Sequence, residues 1–493
     1  MNTFMNELKN VNNFDRTENG DLTHKTTNSA ILDMFGIGGA YRNRSETDVI
    51  TLFKDAFSEN RDLAMKCLFY LRDVRGGQGE RRFFRVAYQW LCDNYPAIAL
   101  KNLIYIPEYG RWDDLIYIAI DTKLQNSALS IIAKQLAIDI QCKTPSLLGK
   151  WMPSQNASSP KTKAMGKKLA KYLGLSPKQY RVLLSTLRKR INIVEKLMSE
   201  NRWDEIEFDK IPSRAGILYK NAFARKDIIA EKYRNFIKSN STKVNARTLY
   251  PQDIARKASG EFNSPYNSLT RMAIQKYWDN LPDYYQGRKE NGIAVVDVSG
   301  SMIGTPMEAA ISLGAYIADK AHGPFAHHFI TFSERPELVH FTGADIVDKF
   351  RNCISASWGF NTDIKKVFDM LLSVAKKSNV SPEDMPSRIY IFSDMEFDEC
   401  VTLNSRTVND LDEINTGLES IQKEWENAGY KMPSVIFWNL DARSNHIPAI
   451  GGNFSYVSGF SPVMISQILG GKKGYELMIE KLINSGRYDV ITG

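Results

Sequence analysis

The chain has 493 residues, 43% of them hydrophobic and 24% charged, a balance that excludes disordered and collagen-like proteins and a length that calls for two or three domains. Its net charge of +8 conceals a division: residues 1–290 carry 47 Lys and Arg against 31 Asp and Glu, and residues 291–493 carry 17 against 25. A cationic part joined to an anionic part argues for separate domains and makes the first the candidate for a polyanionic partner.

Residues 1–30 are polar and rich in Asn and Thr, and read as an arm with little structure of its own. They lack the charged start and apolar core of a signal peptide, so a cytoplasmic protein is expected. No apolar run approaches the ~18 residues of a membrane-crossing helix, so no membrane partner is expected. The five cysteines (Cys67, Cys92, Cys142, Cys353, Cys400) are scattered without a C-x-x-C pair and read as buried free thiols.

From Thr47 to Tyr285 the pattern is helical. Ile50, Phe53, Phe57, then Leu63, Cys67, Leu68 and Leu71 recur at i, i+3, i+4 spacing, followed by Phe83–Leu91, Leu115–Ile120, Leu129–Ile138 and Tyr180–Leu197. Turns such as RGGQGE (75–80), NYP (94–96) and LGLSP (173–177) separate these helices, which predicts stacked helical pairs over residues 31–289, an all-α repeat array. Between residues 161 and 190 lie Lys161, Lys163, Lys167, Lys168, Lys171, Lys178, Arg181, Arg188, Lys189 and Arg190, interleaved with Tyr172 and Tyr180. Cations neutralise phosphates and aromatic faces stack bases, so this stretch is the candidate RNA-binding surface. Arg75, Arg81 and Arg82 of RGGQGERR are further candidates to face a phosphate, although a tight turn with Arg81 and Arg82 opening the next helix is the favoured reading of that segment. In GRWDDL, Asp113 and Asp114 fit the first turn of a helix, and Trp112 fits the core. The glycines of FGIGGA (35–40) lack the context of a nucleotide fingerprint.

Near residue 290 the pattern changes. GIAVVDVSGSM (292–302) is a buried strand running into a small-residue turn, followed by a helix at Pro306–Lys320 and a strand at His328–Phe332. A strand near Glu337–Phe341, helices at Ala344–Cys353 and Asp363–Lys377 and a strand at Arg388–Ser393 come next. A helix at Ile414–Asn427 and strands at Ser434–Asn439 and Phe454–Ser458 complete a doubly wound α/β domain over residues 290–493. Ligands of such sheets bind at the carboxyl ends of the strands. Asp297, Ser299 and Ser301 fall there, as do Thr362 in GFNTD and Asp394 in RIYIFSD. Two carboxylates and three hydroxyls make a hard oxygen site with an open position, suited to Mg2+ and to one oxygen from a partner. Asp394, Glu396, Asp398 and Glu399 form an acidic cluster in a loop expected to be solvated.

The order and spacing of Asp297-x-Ser299-x-Ser301, Thr362 and Asp394 resemble the metal-ion-dependent adhesion site of von Willebrand factor A domains. That resemblance implies direct Mg2+ contacts from Ser299, Ser301 and Thr362, with Asp297 and Asp394 acting largely through water. A basic helical array ahead of an A domain, with RDVRGGQGERRFFR (72–85) and IPEYGRWDDL (106–115), resembles the Ro/TROVE RNA-binding proteins and an uncharacterised family sharing their layout. The Ro resemblance implies HEAT-like repeats that close into a ring and bind single-stranded ends or structured RNA. An acidic protein ligand at the metal is the competing expectation, as is a component of a larger assembly such as a phage particle. No G-x-x-x-x-G-K-[ST], H-E-x-x-H or G-x-S-x-G occurs, so catalysis is not expected.

Overall fold

In the computed structural model, helices run from Ala30–Ile37 to Leu269–Asp279, and the strands of one large sheet follow from Gly292 to Ser458. The structure describes residues 13–191, 193–332, 335–354, 363–398, 417–449, 453–469 and 473–493. Helix starts follow from local chemistry. Ser45 exchanges hydrogen bonds with Asp48 to open Glu46–Glu59, and Ser176 does the same with Gln179 to open Pro177–Arg190. Pro160, Pro177 and Pro251 sit in first turns, where an amide donor has no partner to lose. Consecutive helices then pack in pairs, Glu46–Glu59 with Arg61–Arg72, Trp112–Asp121 with Gln125–Gln141, and Ser213–Arg225 with Asp227–Lys238. The expected helix Tyr180–Leu197 is two helices, Pro177–Arg190 and Val194–Ser199. Arg188, Lys189 and Arg190 fill the last turn of the first, where the helix dipole favours cations.

The expected arm needs correction over residues 13–30, while residues 1–12 lie outside the described residues. Phe14–Arg16 (β1) and Leu22–His24 (β2) form an antiparallel hairpin. Bridges from Gly20 to Asp398 and from His24 to Ile447 join it to the sheet domain. Its strands are too short and polar to be legible; what orders them is a surface some 380 residues away in the chain, where the Thr17 hydroxyl donates to the Phe397 carbonyl at 2.6 Å.

The sheet contains Gly292–Asp297 (β3), His328–Phe332 (β4), Leu338–His340 (β5), Arg388–Ser393 (β6), Ser434–Asn439 (β7) and Phe454–Ser458 (β8). Their order is β5-β4-β3-β6-β7-β8, parallel throughout except for β5 at the edge. Parallel strands are covered on both faces, which is why β3 and β6 read as unbroken apolar runs. Ala294 and Val296 face a core shared with the Thr305–Lys320 helix and with the helical part of the chain. Ile293 and Val295 face a second core, built with Val367, Phe368, Leu418 and Trp425. Gly314 lets the 305–320 helix approach closely, since a Cβ there would lie 2.4 Å from the Val296 Cγ2.

Both ends of the helical part rest on the sheet domain. At one end the Tyr70 hydroxyl donates to Gln467 at 2.9 Å, the Tyr488 hydroxyl donates to Asp73 at 3.0 Å, and Asn102 donates to the Thr492 carbonyl at 2.7 Å. At the other the Trp278 indole donates to Asp319 at 2.8 Å, and Arg271 grips Asp345 and Asp348. The chain is thereby closed on itself. Cys67, Cys92 and Cys353 are buried free thiols, and Cys142 is half-buried and free; Cys400 lies outside the described residues. Among the described residues, no helix is long and apolar enough to cross a membrane.

Candidate metal centre and basic surface

β3 and β6 lie side by side at the point where the strand order reverses, because β3 leads to β4 on one side and pairs with β6 on the other. The crevice at their carboxyl ends is the favoured ligand position of such sheets. Asp297, the last residue of β3, is fully buried there. It accepts the Ser299 amide at 2.8 Å on Oδ1 and the Ser393 hydroxyl at 2.7 Å on Oδ2. Ser299 and Ser301 hydroxyls meet at 3.0 Å. Asp394 follows β6, and Met395 beyond it adopts a left-handed φ of 70°, which turns the chain so that the Glu396 amide donates to Asp394 Oδ1 at 3.2 Å.

Burial, and then the neighbouring Asp297 carboxylate, push the Asp394 carboxyl up to about 6; burial also raises Asp297. Asp394 Oδ2 is buried and, among the described residues, has no hydrogen-bond partner. Two buried carboxylates in mutual repulsion, one with an orphaned oxygen, beside two hydroxyls, form a donor set that a hard divalent cation fits. Asp297, Ser299, Ser301 and Asp394 are thus brought together as the spacing predicts, while Thr362 lies outside the described residues.

The acidic loop after β6 is not solvated as expected. Glu396 is 1% exposed. It accepts the Glu18 amide at 2.7 Å and faces the His446 imidazole at 3.2 Å, and Ser444 donates to it as well. His446, Ser444 and Glu18 hold its carboxyl below the usual range against the opposing effect of burial. The N-terminal hairpin therefore grips the loop that carries Asp394. Residue Arg443, which sequence reasoning missed, reaches this edge from the segment after β7, with Nη2 at 2.6 Å from Glu18 and Nη1 at 3.9 Å from Asp394 Oδ2. Glu399 lies outside the described residues.

The basic residues divide. In the helices Pro160–Tyr172 and Pro177–Arg190, the side chains of Lys161, Lys163, Lys167, Lys168, Lys171, Lys178, Arg181, Lys189 and Arg190 are exposed. Among the described residues, none of Lys161, Lys163, Lys167, Lys171, Lys178 or Arg181 pairs with a carboxylate. The signal for this was available: between Asp139 and Glu195 the chain has no acidic residue and twelve Lys and Arg. Arg190 donates to the Ile140 carbonyl at 2.6 Å.

Arg188 is corrected. It is half-buried and donates to the Gly149 carbonyl, the Met152 carbonyl and the Ser154 hydroxyl at 3.0, 2.8 and 2.9 Å. It holds a turn, and burial lowers its pKa. Tyr180 is buried and donates to the Pro153 carbonyl, so it offers no stacking face; Tyr172 is exposed.

Arg75, Arg81 and Arg82 also serve the fold. Arg75 donates to the Glu108 carbonyl, and Arg81 lies 3.4 Å from Asp113. The Arg82 amide donates to Glu80 at 2.9 Å, whereas its half-buried guanidinium has Nη1 buried with no hydrogen-bond partner among the described residues. RDVRGGQGERRFFR (72–85) and GRWDDL meet through the buried pair Arg72–Asp114 at 2.7 Å, with Arg85 bridging Asp114 at 2.8 Å and Asp113 at 3.0 Å.

The family model of a domain of unknown function, DUF2828, matches residues 17–130 and 146–284, and that of a second, DUF7788, matches residues 291–485. The uncharacterized protein L728 of Acanthamoeba polyphaga mimivirus is 31% identical over 505 residues, covering 94% of this chain and 85% of the relative. The crystal structure of the Deinococcus radiodurans RO (RSR) protein aligns with 93% of this chain and 100% of its own at 13% identity, with a TM-score of 0.35, too low to establish a shared fold.

Proposed function

We propose that this chain, which belongs to the DUF2828 family, is a non-catalytic, cytoplasmic RNA-binding protein of Ro-like type with a Mg2+ site in its sheet domain. The observation that carries the reading is the acid-free helical pair at residues 160–190, where Lys161, Lys163, Lys167, Lys171 and Lys178 stand exposed and, among the described residues, without carboxylate partners. Unpaired cations retain counterions that a phosphate backbone releases, and that release favours binding. The segments at 72–85 and 106–115 that resemble Ro/TROVE proteins add support to the reading.

In this reading structured or single-stranded RNA lies along Lys161, Lys163, Lys167, Lys168, Lys171 and Arg181. Asp297, Ser299, Ser301, Asp394 and Thr362 hold Mg2+, which neutralises the two carboxylates and organises the carboxyl edge of the sheet. Retention of RNA from lysate at about 0.1 M salt and its release at about 0.5 M tests the first part. A defined RNA enriched by the native chain, and lost when the 161–171 lysines are reversed, supports it; clean protein with no enriched RNA overturns it.

The orphaned Asp394 Oδ2 favours a second reading, in which an acidic residue of another protein completes the coordination of the ion. Binding of such a partner would require Mg2+ and fail in Ser299→Ala, whereas RNA binding would survive that change.

A further inference from the structure

The Mg2+ reading leaves one charge unexplained. The Asp394 side chain is completely buried, its Oδ2 has no hydrogen-bond partner among the described residues, and a cation facing that oxygen at 3.9 Å is the Arg443 guanidinium. That distance is too long for a hydrogen bond, so Arg443 offsets the carboxylate charge without satisfying the oxygen. Its other terminal nitrogen is engaged at 2.6 Å by Glu18, which the N-terminal hairpin presents.

The backbone around Arg443 is pinned. Arg44 donates to the Arg443 carbonyl, the Leu440 amide donates to the Ser393 carbonyl at 3.0 Å, and the Ala442 amide donates to the Ala40 carbonyl at 3.2 Å. The side chain is 39% exposed. It can therefore swing between solvent and Asp394 without disturbing the core. The hairpin that positions Glu18 is in turn fixed to the Asp394 loop, with the Glu18 amide on Glu396 at 2.7 Å and the Asn19 side chain on the Glu396 carbonyl at 2.7 Å.

We propose that Arg443 is a resident counter-ion of Asp394 that a divalent cation must displace, and that Glu18 holds the guanidinium back from the site, so that hairpin docking sets the cation affinity. The inference rests on the Mg2+ reading. A guanidinium near the carboxylate repels an incoming cation, and a carboxylate that draws it outward relieves that repulsion. The two substitutions therefore have opposite signs, which a purely structural role for either residue would not produce.

The test is titration of the full chain with Mn2+, following free ion by electron paramagnetic resonance and folding by thermal melt. Arg443→Ala is expected to bind Mn2+ about tenfold tighter than the native chain, and Glu18→Gln several-fold weaker. Arg443→Lys keeps the native affinity within about threefold, because the charge stays. In the Arg443→Ala background, Glu18→Gln loses its effect, since it acts through the guanidinium. An unchanged or weakened Arg443→Ala, or a Glu18→Gln effect that persists in the double variant, overturns the inference while leaving the Mg2+ site standing. If neither the native chain nor Arg443→Ala binds Mn2+, the Mg2+ reading itself falls and takes this inference with it. Binding by Arg443→Ala alone would be the strongest support.

Discussion

Two basic regions of this molecule look alike in composition and have opposite fates. In residues 72–85 three of the five arginines are paired with carboxylates: Arg72 is buried on Asp114, Arg85 spans Asp113 and Asp114, and Arg81 lies against Asp113. In residues 161–190 most of the cations point to solvent, and no acid lies within the helices that carry them. The first region spends its charge joining two turns of the same framework. The second keeps its charge available to an outside anion. Density of positive charge alone does not distinguish the two regions; the presence or absence of neighbouring carboxylates does.

The largest way to break the comparison is to unpair the first region. Asp114→Ala leaves Arg72 buried without its carboxylate and is expected to cost about 3–5 kcal/mol of stability, read by denaturant unfolding. Next, reversing Lys161, Lys163, Lys167 and Lys171 to Glu should leave the melting temperature near native. It should weaken RNA binding by about 100-fold at about 0.1 M salt and flatten the salt dependence by about 3–4 log units per decade of salt. A drop in stability instead would place those lysines in the fold.

Within the same helix, Arg188→Ala removes three donated hydrogen bonds and should cost about 2 kcal/mol, while Arg181→Ala should stay within about 0.5 kcal/mol and act on RNA binding only. The smallest effect separates the metal centre from both regions. Mg2+ at about 10 mM should raise the melting temperature of the native chain by a few degrees, and Asp394→Asn should abolish the rise without changing RNA affinity.

What was legible in the sequence was whatever the fold writes locally. β6, β7 and β8 match the expected strands residue for residue, and β6 and β7 do so because parallel strands buried on both faces leave continuous apolar runs. Asp297, Ser299 and Asp394 could be placed for the same reason, as each sits at or just after the end of such a run. Arg188 could have been separated from its neighbours: Tyr180, Leu184 and Leu187 are the buried stripe of their helix, and residue 188 follows Leu184 by one turn. The hairpin at 14–24 and Arg443 carried no such mark. Their meaning comes from Glu396, Phe397 and Asp394, partners far along the chain on an irregular edge, and no local period encodes that.

The closure of the helical part onto residues 467–493 has a consequence in time. Asp73 is fully buried and finds Arg487 and Tyr488, Asn102 finds Thr492, and Asp62 finds the Gly493 amide at 2.6 Å, all across roughly 400 residues of chain. At a synthesis rate of about 5–20 residues per second, the first helices wait tens of seconds on the ribosome before their last partners exist. During that interval the carboxylate of Asp73 and the aromatic faces of Tyr70 and Tyr109 are uncovered, so the nascent helices are a natural client for chaperones. A fragment cut near residue 290 would remain in that unfinished state permanently.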